Sequence, residues 1–240
     1  MPDFSPDSTL GQIVTDHPDL AAELERRGLD YCCGGARTLG DACGDVGLEV
    51  DEVISELASV DAGPAEEWAS FGAAALVDHL EQTHHAYLHA ELPRLTALAA
   101  KVASVHGANH VELITVRETF DDLRADLEPH LAKEEQVLFP MIRELDSATA
   151  APSFHCGSLA NPISVMLAEH DRAGVLLAEL RHHTGGYTIP ADACASYEAL
   201  YRGLRQLEAD THLHVHKENN RLFPLVRELE ARWAPREALR

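Results

Sequence analysis

A 16-residue phrase occurs twice in this chain of 240 residues. One copy is His130-x-x-Lys133-Glu134-x-x-x-Leu138-Phe139-Pro140-x-x-Arg143-Glu144-Leu145. The other is His214-x-x-Lys217-Glu218-x-x-x-Leu222-Phe223-Pro224-x-x-Arg227-Glu228-Leu229. Nine of the 16 positions are identical, at an offset of 84 residues. Both copies sit in stretches with helical periodicity and without the alternation of a strand. The duplication predicts two copies of a helix hairpin, related by a pseudo-two-fold.

Four long amphipathic patterns, roughly 73–104, 109–145, 161–183 and 192–231, support this reading. Turn-rich stretches separate them around Gly107, from Ala148 to Leu159 and from Gly185 to Pro190. The fold class is therefore all-α, an up-down four-helix bundle over residues 71–240. A small helical domain over residues 1–60 precedes it. There Ser8 or Thr9 is positioned to cap a helix through Val14, and Asp16 a second helix that ends at Gly28. A turn, Asp30-Tyr31-Cys32-Cys33-Gly34-Gly35, and a helix from Glu49 to Ala58 follow. Asp61 to Glu67 reads as a linker.

A His–Glu spacing of four places both side chains on one helix face. In the second long helix that face is Leu113, Val116, Phe120, Leu123, Leu127, His130, Glu134, Leu138 and Met141. In the fourth it is Tyr197, Leu200, Leu204, Leu207, Thr211, His214, Glu218, Leu222 and Leu225. The seam selects His214 and turns His212 and His216 away, toward solvent. A glutamate in an apolar seam is costly unless a cation compensates it. Two facing glutamates call for a pair of metal ions, as in dimetal carboxylate bundles. The third helix offers His170 on the seam Ile163, Met166, His170, Ala173, Leu177 and Leu180, with Asp171 outside it. In the first helix the seam Val77, Leu80, Leu88, Leu95 is centred nearer His84. The duplication favours His85, because His85 to His130 spans 45 residues and His170 to His214 spans 44. With the duplication preferred, the metal-ligand set is His85, His130, Glu134, His170, His214 and Glu218.

Composition narrows the partners. Lys and Arg number 19 against 40 Asp and Glu, a net charge of −21, which disfavours nucleic acid and anionic membranes. No apolar run spans a bilayer, and no basic segment followed by an apolar one marks a signal peptide. Five cysteines, an odd number without a CxxC pair, read as reduced thiols in the cytoplasm. Fourteen of the 15 histidines lie at or after position 79, in the bundle.

These motifs resemble the iron–sulfur cluster repair family, also called repair of iron centres, whose core is a hemerythrin-like bundle. The likeness covers nearly the whole chain. It rests on Asp30-Tyr31-Cys32-Cys33-Gly34-Gly35, Leu76-Val77-Asp78-His79, Lys133-Glu134-Glu135-Gln136-Val137-Leu138-Phe139-Pro140, Pro162-Ile163-Ser164-Val165-Met166, Glu169-His170-Asp171 and Glu218-Asn219-Asn220. The resemblance implies two non-haem Fe ions held by four histidines and two bridging glutamates, and it supports His85 over His84. It implies repair of clusters damaged by nitric oxide or oxidants, by supplying iron to damaged iron–sulfur proteins. It also places His106 as a further histidine near the site and admits a homodimer. Pro129 and the segment Ala148 to Leu159 depart from the family, and Pro129 is expected to kink its helix.

Imidazole and carboxylate donors without thiolate suit iron, with an oxo or hydroxo bridge and open positions for dioxygen, nitric oxide or release. Cys32 and Cys33, in a glycine-flanked turn, are candidates for a redox, nitric oxide or iron-transfer role. The rival readings are a dioxygen or nitric oxide carrier and a nitric oxide reductase or peroxidase.

Overall fold

A computed structural model describes residues 4–60 and 66–233. Part of the expected linker, 61–65, lies outside the described residues. Among the described residues there is no strand, only isolated bridges at Thr9–Thr38 and Phe154–Gly157. The molecule is all-α and divides into two compact units. Of the described residues, the first comprises 4–60, 66–79, 141–163 and 213–233, and the second comprises 80–140 and 164–212. No described helix is long and apolar enough to cross a membrane.

The first unit begins with four short helices: α1 (Leu10–Asp16), α2 (Ala21–Arg26), α3 (Leu39–Val46) and α4 (Val50–Ser59). Thr9 is the cap of α1, its hydroxyl accepting from the Gln12 amide at 3.2 Å. Asp16 does not cap a second helix. It ends α1, and a 3₁₀ turn, Pro18–Leu20, leads into α2. Helix α3 was not anticipated from periodicity. Thr38 caps it, and Gly47, at φ 71°, closes it in a left-handed conformation that suits glycine. Leu10, Ile13, Val14, Leu20, Leu24, Leu39, Leu57 and Val215 form the core of this unit.

The longer helices are α5 (Ala73–Leu80), α6 (Ala86–His106), α7 (Glu112–Lys133), α8 (Phe139–Ser147), α9 (Ala160–His183), α10 (Ala195–Lys217) and α11 (Phe223–Ala231). The second unit packs Leu88, Leu92 and Leu95 of α6 with Val116, Phe120 and Leu123 of α7. Leu177 and Leu180 of α9 and Leu200, Leu204 and Leu207 of α10 complete one apolar cluster. Pro129 does not end α7, which stays helical to Lys133.

Three π turns join these helices: Glu81–His85 between α5 and α6, Glu134–Leu138 between α7 and α8, and Glu218–Leu222 between α10 and α11. The two turns of the duplicated phrase occupy the same register, each opening on its glutamate. Each precedes a Phe-Pro pair, and proline has no N–H to return to the carbonyl four residues back. A π turn, with its wider hydrogen-bond ring, absorbs that break, and such turns recur at functional sites.

Candidate metal centre

The second unit brings His85, His130, Glu134 and His170 together. All four are buried, with exposures of 1%, 3%, 0% and 3%. The seam positions them: His130 and Glu134 continue the buried run Leu123–Leu127 of α7, and His170 follows Ile163 and Met166 on α9. Glu134 Oε2 lies 3.3 Å from His130 Nε2 and 3.5 Å from His85 Nε2. His130 Nε2 and His170 Nε2 are 3.2 Å apart. Neither carboxylate oxygen of Glu134 has a hydrogen-bond partner, although both are buried. An orphaned buried carboxylate ringed by imidazole nitrogens is what a cation would satisfy.

The outer nitrogens fix the rings. His85 Nδ1 meets Glu135 Oε1 at 2.9 Å, and the same oxygen meets His89 Nε2 at 2.8 Å. His130 Nδ1 meets Glu169 Oε2 at 2.9 Å, and Lys133 pairs with the other Glu169 oxygen. Burial opposes ionisation of both glutamates. Hydrogen bonds from His89 and His85 still hold Glu135 below the usual carboxylate range, and those from Lys133 and His130 do the same for Glu169. A carboxylate on Nδ1 keeps the proton there and points the Nε2 lone pair inward, the arrangement that metal-binding histidines use. Sequence reasoning missed both supports. Glu135 adjoins Glu134 and Glu169 adjoins His170, so their only signal was adjacency.

His84 is also buried, and its Nδ1 faces Asp210 Oδ1 at 2.9 Å. His106 is not near the candidate ligand His85. It ends α6, 21 residues after His85, about 30 Å along a helix rising 1.5 Å per residue. Its Nε2 lies 3.2 Å from Cys194 Sγ.

The first unit holds the second phrase. His214 Nε2 and Glu218 Oε1 are 3.2 Å apart, and the residues are 2% and 0% exposed. His216, expected in solvent, is fully buried. Its ring packs against Tyr31 and Trp68, its Nε2 faces the Thr15 hydroxyl at 3.2 Å, and burial lowers its pKa to about 4. The helical phase was right, but the short helices of this unit cover that face. Lys217, the counterpart of Lys133, donates instead to His79 Nε2 at 2.9 Å and lies 5.0 Å from the centre of the Trp68 ring.

Cys32 and Cys33 lie in a turn built by Asp30, whose carboxylate accepts from the amides of Cys32, Cys33 and Gly34 at 2.9–3.0 Å. Asn220 Nδ2 donates to the carbonyls of Tyr31 and Cys32, and Asn219 Nδ2 to that of Cys32. The thiol turn is thus fastened to the two residues that follow Glu218. The sulfurs are 3.9 Å apart, and the ligand atoms of Asp30, Cys32 and Cys33 lie within 4.8 Å of one another. The contact with Cys33 and burial push the Cys32 thiol well above its ordinary value, so it is held protonated.

The helical fold and these histidine–glutamate clusters define a cation-binding bundle of the hemerythrin class. Residues 76–226 match the hemerythrin HHE cation-binding domain, and residues 6–61 match a domain of unknown function, DUF542. The chain is 36% identical over 219 residues to proteins named iron–sulfur cluster repair protein YtfE from Escherichia coli O157:H7, Escherichia fergusonii and Escherichia coli strain UTI89. The match covers 91% of this chain and 96% of each relative. The chain belongs to the iron–sulfur cluster repair family of hemerythrin-like proteins.

Replacing Glu169 by Gln tests the outer contacts. It keeps the shape but removes the charge that faces His130 and Lys133. Metal affinity should fall about 10- to 100-fold, the usual cost of losing such a support. Competition with a chromogenic chelator measures it, and unchanged affinity would show that Glu169 only pairs with Lys133.

Proposed function

We propose that this chain repairs damaged iron–sulfur clusters by donating iron from one dinuclear centre. Its ligands are His85, His130, Glu134, His170, His214 and Glu218, with the two glutamates bridging. In this reading residues 71–240 form the di-iron bundle, and residues 1–60 form a module that presents Cys32 and Cys33. The observation that carries it is Glu134, fully buried, with both oxygens lacking a hydrogen bond beside His85 and His130. The duplicated phrase supplies a matching pair at His214 and Glu218. The names of the relatives support the repair role, with damaged iron–sulfur proteins as recipients.

The metals are two non-haem Fe ions with an oxo or hydroxo bridge. The donor set supports this, since imidazole with carboxylate suits iron. Bound iron supplies one-electron chemistry, affinity for nitric oxide or dioxygen, and the cargo itself. Glu135 and Glu169 orient His85 and His130, and the apolar seam keeps water out. Six side chains leave both irons incompletely coordinated, which permits release. The thiol turn, tied by Asn219 and Asn220 to the turn that opens on Glu218, is the exit for iron. The five unpaired cysteines support a reducing, cytoplasmic setting.

The test is transfer. Iron-57-loaded protein is mixed with a hydratase whose cluster nitric oxide has degraded. Activity should return together with the label. The Cys32→Ser, Cys33→Ser variant should keep its two irons and lose at least about nine-tenths of the transfer rate, a loss of more than 1.4 kcal/mol in barrier terms. Recovery of activity without label would sink the donor reading. Full transfer by the cysteine variant would remove the thiols from the mechanism.

A further inference from the structure

The first unit contains a cavity of about 520 Å³ that the metal chemistry does not use. Its wall includes Gly35 and Ala36 of the thiol turn, Thr9, Gln12 and Thr15 of the first helix region, and Asn219. Arg221 and Arg227 also line it. In a chain of net charge −21, arginines are readily neutralised: Arg27, Arg37, Arg94, Arg124, Arg143 and Arg172 each meet a carboxylate. Arg221 and Arg227 meet none among the described residues, and Arg221 Nε is buried without a hydrogen-bond partner. The one acid in the wall, Asp16, accepts from Gln12 Nε2 at 2.8 Å. Burying part of a guanidinium without a partner is unfavourable, and a guanidinium fork matches carboxylate and phosphate oxygens.

We propose that this cavity binds a small organic oxyanion with two negative charges, a dicarboxylate or a phosphate monoester. Arg221 sits within the wall and grips one oxygen pair. Arg227, exposed at the rim and six residues further along the chain, takes the second charge or the opposite edge of the same group. The hydroxyl of Thr9, which accepts from the Gln12 amide, and the second side-chain amide proton of Gln12, whose first goes to Asp16, supply neutral donors. The volume fits a molecule of metabolite size. A ligand here would lie against Gly35, two residues from Cys33, so occupancy would bear on the thiol turn.

Calorimetry on the full metal-loaded protein tests this with two probes that chelate iron weakly, glutarate and glycerol 2-phosphate. At least one should bind with a dissociation constant below about 1 mM, and the one that binds identifies the class. Raised salt should weaken binding, and Arg221→Gln, Arg227→Gln should weaken it at least about tenfold. Iron content and the melting curve of the variant are recorded in parallel. If the double variant does not fold, Arg227→Gln and Arg221→Lys replace it, since lysine keeps the charge and loses the fork. Absence of heat with both probes up to about 10 mM, or equal binding by every folded variant, overturns the proposal.

Discussion

The variant Glu134→Ala, Glu218→Ala should purify with no bound metal, where the proposed centre gives the native chain two ions. Both glutamates are fully buried, and Glu134 has no hydrogen bond to justify its place. Four imidazoles are neutral ligands, so without the glutamates two cations would sit in a desolvated interior with no anionic donor of the first sphere. The outer carboxylates, Glu135 and Glu169, are already engaged by His89 and Lys133 and so are poorly placed to substitute. The same change should not unfold the chain, because alanine removes charges that are unfavourable when no cation faces them. The metal-free variant should melt no lower than the metal-free native protein. Elemental analysis and calorimetry check both halves. Two retained metals per chain would exclude the glutamates as ligands.

Gly35→Val should cost on the order of 3 kcal/mol, a large part of the 5–15 kcal/mol available to a typical domain. A Cβ at Gly35 would collide with the Asn220 side chain and lie 2.6 Å from the Tyr31 carbonyl oxygen. The amide can turn away, but the carbonyl is backbone and is itself held by Asn220 Nδ2 at 3.2 Å. Adding Asn220→Ala should therefore rescue only part of the loss. Loss should appear in a thermal melt and in faster proteolysis of the first four helices. An unchanged melting point would mean that the thiol turn shifts freely, against the hydrogen bonds that fasten it.

The helices and five of the six proposed ligands were legible because apolar steps of three and four residues ran unbroken into His130–Glu134, His214–Glu218 and His170. The sixth shows where such reading stops. Periodicity favoured His84 because it assumes 3.6 residues per turn throughout. The π turn Glu81–His85 adds one residue, a rotation of about 100°, and brings His85 to Glu134 while His84 meets Asp210. The same offset explains why Val226, not Leu225, is buried after the turn Glu218–Leu222. His216 was misjudged for another reason: a helical wheel cannot show that Tyr31, Trp68 and Thr15, distant in sequence but in the same unit, cover the outer face. The two repeated lysines look equivalent in sequence, yet Lys133 meets Glu169 and Lys217 meets His79. Duplication preserves the phrase, but its surroundings decide what the phrase does.

The π turns also set how this chain tolerates changes in length. Each is in effect a single inserted residue that the helix has accommodated by widening. Deleting one residue inside Glu134–Leu138 would restore a regular helix there at little local cost. It would also rotate α8 by about 100° and move it about 1.5 Å, taking Phe139 and Ile142 out of the interior. Loop deletions between α8 and α9 carry no such penalty. Length variation among functional relatives should therefore gather in residues 148–159 and spare the three turns that carry the charges.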